Sequence, residues 1–197
     1  MQAKPILNGI PRPPLSQEDI DRSKVVFDFV QRGEKWPDGI LTAITLIAKG
    51  SSLQAVPMME EFAKSPDPDI RAAALQALIL VYHLPEHCQT AWSMLDDEDP
   101  GPRSVAAMCV GFCYIATKDV EVMQRLASIV ATEDEEWIVR QSAYRSIFDV
   151  LNCPYRHPKR PPSGRQMNFE AEVDWEIIAQ IQRGEVPRIP WNDASRS

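Results

Sequence analysis

The side chains best suited to chemistry in this chain are few and scattered. His83, His87 and Cys88 lie close together and are ligand types that zinc accepts. Pro85 falls between the histidines, however, so they belong to different helices and do not share the one-face geometry of four-residue spacing. Cys109 and Cys113 do share a face, on an apolar helix where a free cysteine acts as a small hydrophobe. No metal or other cofactor is expected. Nucleophilic catalysis finds no support either: there is no glycine-rich phosphate loop, no Gly-x-Ser-x-Gly elbow, and no cysteine with a credible His and Asn set. No catalytic residue is assigned, and a non-enzymatic role is expected.

What remains is architecture and surface. The 197 residues are 44% hydrophobic and 25% charged, enough to bury a real core and too apolar for disorder. The net charge of -7 argues against nucleic-acid binding, which needs a basic face. No stretch approaches the ~20 apolar residues of a membrane span, and the proline-rich start lacks a signal peptide's apolar run. The four cysteines, 88, 109, 113 and 153, show no regular framework, which points to reduced thiols and a cytoplasmic protein.

Apolar spacing and proline positions together define the helices. Ser16 caps a helix from Gln17 to Gln31, with Asp19 completing a loose capping box and Gly33 as the stop. A second helix follows Pro37 and ends at Gly50, and a third carries Leu53, Val56, Met59 and Phe62. Asp67 then caps a helix with Pro68 in its first position, where the missing N–H costs nothing. Pro85 ends that helix and starts a shorter one with Cys88, Ala91, Trp92 and Leu95. The pattern restarts at Asp99-Pro100, with Asp99 expected as cap, and again after Asp134-Glu135-Glu136. Seven of the 17 prolines punctuate this region, four lie between residues 153 and 169, and six fall in the two ends.

Aligning the restarts exposes a repeat. Arg71, Arg103 and Arg140 are each followed three residues later by alanine and seven later by Leu78, Val110 or Ile147, with Asp67, Asp99 or Glu136 four residues before. The intervals, 32 and 37 residues, suit two stacked helices with short turns, the period of a solenoid. On the motif Asp67-Pro68-Asp69-Ile70-Arg71 and its copies, the chain from Pro37 to about Leu151 resembles the HEAT-repeat family, of the short type also seen in phycobilin lyases. Its second copy departs by having Pro102 at the aliphatic position. The resemblance implies an all-α, right-handed α-solenoid whose second helices line a concave face. The HEAT-repeat iron hydroxylases depend on His-Glu dipeptides, and this sequence has none.

The expected organisation is an extended tail at 1–15, one solenoid domain at 16–185 interrupted by a basic, proline-rich loop at 153–169, and a tail at 186–197. Gln-Arg-Gly-Glu occurs at both 31–34 and 182–185 and reads as a repeated glycine stop with a basic last turn. The arginine and acid of each repeat read as ties between repeats rather than as catalysts. The inter-repeat turns hold 10 of the 28 acids and form a negative edge suited to a partner protein with a basic surface. Candidate contacts are Asp96, Asp97, Glu98, Glu133 and Glu135 on that edge, with Glu60, Glu61, Gln89, Trp92, Gln124 and Arg125 on the second helices. The resemblance implies a protein-binding module, an adaptor or inhibitor of the kind that includes immunity proteins. The enzymatic alternative it implies is a bilin lyase, with the basic loop meeting a tetrapyrrole carboxylate.

Overall fold

In the computed structural model, residues 15–50, 52–155, 157–161 and 164–189 are described. The N-terminal tail to Pro14 and the last eight residues, expected as extended ends, lie outside the described residues. The helices, in chain order, are α1 Gln17–Gln31, α2 Ile40–Lys49, α3 Val56–Phe62, α4 Pro68–Gln76, α5 Cys88–Ser93, α6 Pro100–Cys113, α7 Val120–Ala131, α8 Trp137–Val150, the single turn α9 Phe169–Glu172, and α10 Trp175–Gln182. A wider π turn, Ala77–Val81, continues α4.

Pairing follows the repeat. The first helices α2, α4, α6 and α8 stack side by side, α1 covers α2, and α10 packs on α7 as the last second helix. Their apolar stripes merge into one core that includes Ile44, Leu75, Leu78, Val110, Leu126, Tyr144 and Phe148. Two crossings are unusually close because one residue lacks a side chain. A Cβ on Gly50 would lie 2.2 Å from that of Ser23, and one on Gly111 would lie 2.5 Å from that of Ser146. At the first crossing Ser23 Oγ donates to the Ile47 carbonyl at 2.9 Å.

The helix ends show which local readings hold. Ser16 Oγ accepts from the Asp19 N–H at 3.1 Å, and Asp67 accepts from the Asp69 and Ile70 N–H groups. Asp99, expected to do the same for α6, makes no side-chain cap. Pro102 in the third position of α6 has no N–H to offer, and the Asp99 carboxylate is turned instead toward Arg71 Nη2 at 3.3 Å. Pro102 is instead buried in place of the family's aliphatic residue. The two Gln-Arg-Gly-Glu segments fold alike: Gly33 and Gly184 have φ of 77° and 82°, and the glutamate N–H reaches back to Phe29 or Gln180. The arginine sits at the cap itself, bonded to the glutamate two residues on (Arg32 to Glu34, Arg183 to Glu185), rather than in the last helical turn.

The cysteine reading is corrected. Cys88 at the start of α5 and Cys113 at the end of α6 form a disulfide, with Cα atoms 6.0 Å apart. Their 25-residue separation hid the pair in the sequence, because stacking brings a second helix's start beside the next repeat's first helix. Cys109 and Cys153 are free and buried. The expectation of four reduced thiols therefore fails, and with it the ground on which a cytoplasmic location was expected. Among the described residues, no helix is long and apolar enough to cross a membrane.

Candidate interaction surface

The repeat arginines set the geometry of the acidic edge. Arg71, in the first turn of α4, donates from Nε and Nη2 to the two carboxylate oxygens of Asp97 at 3.0 and 2.7 Å, and from Nη1 to the Ser65 and Pro66 carbonyls. Arg103 repeats the arrangement one unit on, gripping Glu135 at 3.0 and 2.7 Å and the Asp97 and Glu98 carbonyls. Each arginine thus ties its own turn to the acid of the next turn, not to the acid four residues before it. The bidentate fork fixes the spacing of successive turns as a single contact would not. At the last repeat there is no further turn, and Arg140 instead donates to the Val130 carbonyl at 3.0 Å and lies over the Phe169 ring.

This ladder divides the acids into two groups. Asp97 and Glu135 are internal ties, and Asp99 joins Asp97 on Arg71 at 3.3 Å. Burial alone would raise the Asp97 carboxyl, but the Arg71 hydrogen bond, the Asp99 N–H and the charges of Arg71 and Arg103 together hold it below its ordinary value. Asp96, in the turn that follows α5, is paired with Arg125 of α7. Asp69, Glu98, Glu133, Asp134 and Glu136 face solvent along the edge. The negative edge is therefore narrower than the count of ten suggested, and Glu136 and Asp134 belong to it.

The fold is that of stacked, arginine-tied helical pairs, and residues 57–147 match the family model for HEAT repeats. Over that span the array is built of HEAT repeats. Comparison with curated proteins and with solved structures returns no match.

On the second helices of the HEAT array, the remaining candidates are dispersed. Glu60 stands 3.4 Å from His87 Nε2, and Glu61 is bonded to Lys64. Gln89 is exposed, while Trp92 is half-buried and packed against the core. Gln124 donates to the Gln182 carbonyl at 3.3 Å, under the end of α10. Among the described residues, no group of three or more His, Cys, Asp or Glu is arranged to hold a metal ion.

The basic loop is anchored at its positive charges. Lys159 pairs with Asp174, Arg160 with Asp149, and Arg165 with Glu172. Among the described residues, those are the loop cations that would meet a tetrapyrrole carboxylate, and each already has an acid. Below the loop, Gln141 of α8 donates to the Arg165 carbonyl and accepts from the Met167 N–H, both at 2.9 Å. Gln141 carries no mark in the sequence beyond its place in α8, one residue after the repeat arginine, so its role was missed. The start of the C-terminal segment also packs, with Pro187 and Ile189 buried beside Lys118 and Leu151.

Proposed function

We propose that this HEAT array is a non-catalytic protein-binding module, an adaptor or inhibitor that engages a partner of basic surface along the edge carrying Glu98, Glu133, Asp134 and Glu136. One observation carries the reading. The arginine ladder holds two successive turns in fixed register while leaving these four carboxylates exposed. Rigid, like-signed charges on an exposed edge raise the rate at which an oppositely charged surface arrives and suppress wrong partners.

The experiment is a pull-down from the native host with the full chain as bait, repeated with Glu98, Glu133, Asp134 and Glu136 all changed to Ser. Loss of the captured protein from the variant, at unchanged melting temperature, supports the reading. Equal capture by both baits removes the edge as the site. Asp97 is left intact because its loss would disturb the stacking itself.

A further inference from the structure

We propose that the groove between α6 and α8 is a docking site for a basic, amphipathic segment of a partner protein, anchored on Trp137 and Ile138; this rests on the reading of the chain as a partner-binding module. The groove is open and about 520 Å³ in volume, walled by Ser104 and Met108 of α6 and by Trp137, Ile138, Gln141 and Ser142 of α8. Its remaining wall comes from residues 164–166, held down by the two hydrogen bonds of the Gln141 amide. The segment that breaks the repeat is thus what encloses the furrow between two stacked first helices.

Apolar exposure and charge choose the occupant. Trp137 and Ile138 remain 40% and 43% exposed in the first turn of α8, while the next residue, Val139, is fully buried. A tryptophan and an isoleucine side by side at a groove are the kind of anchor that carries binding energy in interfaces.

The groove also has a direction. Helices α6 and α8 run parallel, because Ser104 reaches Ile138 and Ser142 whereas Gly111 meets Ser146 further along. The turns that precede the two helices therefore lie at the same end. That end carries Glu98, Glu133, Asp134 and Glu136, all exposed, while Glu135 is turned onto Arg103 and secures the rim. Arg145 lines the groove toward its other end. A segment resting its apolar side chains on Met108, Trp137 and Ile138 then places its Lys or Arg residues at the acidic mouth, away from Arg165, which also lines the groove and is paired with Glu172. The same acids repel phosphate, which disfavours nucleic acid and an anionic membrane as occupants.

The test uses random linear peptides displayed on phage and selected on the immobilised full chain. Selected peptides are expected to combine large apolar residues with a cluster of Lys or Arg, and to lose about tenfold or more in affinity on a Trp137→Ala/Ile138→Ser variant. A Val25→Ser/Leu53→Ser variant, which removes apolar side chains exposed 61% and 57% elsewhere on the array, is expected to bind them like the wild type. As a measurement that leaves the groove intact, a photoreactive residue in the selected peptide should crosslink within 104–108 or 137–145. Crosslinks elsewhere overturn the groove. Basic peptides that ignore the Trp137/Ile138 change but fail on the Glu98/Glu133/Asp134/Glu136→Ser variant overturn the groove and leave the acidic edge standing. Selection of acidic peptides, or of none, overturns both.

Discussion

Arg71 of one repeat and Asp97 of the next form a two-bond fork, Nε to Oδ2 at 3.0 Å and Nη2 to Oδ1 at 2.7 Å, with both side chains only 11% exposed. The fork replaces what backbone hydrogen bonding cannot supply between stacked helices, namely a fixed distance from turn to turn. Substituting Arg71→Met is expected to lower stability by about 2 kcal/mol, between the small effect of an exposed pair and the larger one of a buried pair. Urea unfolding measures it. Arg125→Met, which loses only the exposed Asp96, should leave the midpoint unchanged.

Acid should dissolve the same ties. Asp97 is held below its ordinary value, and Glu172 is held at about 2 by Arg165 and by the Asn168 N–H. A carboxyl whose pKa is lower folded than unfolded stabilises fully above its unfolded value of ~4 and loses that contribution as pH falls toward the folded one. Asp149 runs the other way: burial raises its carboxyl in spite of Arg160, so it subtracts stability as pH rises past ~4. The urea midpoint is expected to fall as pH drops below ~4, and Asp97→Asn should flatten part of that fall.

The crossing of α6 and α8 gives a packing test. A Cβ on Gly111 would stand 2.5 Å from the Ser146 Cβ and 2.9 Å from its Cα, so Gly111→Ala must push the two helices apart. A cost of about 1–3 kcal/mol is expected from overpacking. Combining Ser146→Gly with Gly111→Ala in one chain should recover part of it, which a simple gain in helix propensity would not explain.

Thiol counting checks the cysteine arrangement. The native chain should present no thiol to a disulfide reagent, the unfolded but unreduced chain two, and the reduced unfolded chain four. Burial pushes Cys109 up strongly and Cys153 up to about 11, so neither offers a thiolate while folded. Reduction of Cys88–Cys113 is expected to cost about 3 kcal/mol by freeing the loop between them in the unfolded chain.

Local and periodic features were readable from residues alone. The bounds of α1, the Asp67 cap and the arginine-alanine repeat all express short-range chemistry, and each recurs in the structure. Features depending on the stacking distance were not. Asp97 and Glu135 looked like any other edge acids because their arginines lie 26 and 32 residues away. The disulfide was hidden for the same reason. The Asp99 cap is absent because Pro102 removes the third-position donor and the Asp99 carboxylate is drawn onto Arg71, 28 residues back, a partner that only stacking supplies. Gln141, which holds the insert over α8, became visible only when residues 165 and 167 were seen to fold back onto it.

The measurement closest to the central claim is the salt dependence of association between the full chain and the partner it recovers from its host, with the Glu98/Glu133/Asp134/Glu136→Ser variant alongside. Steering by the exposed edge predicts that the wild-type association rate falls steeply with ionic strength and that the variant associates slowly at all ionic strengths. Identical, salt-independent rates for both chains would contradict it.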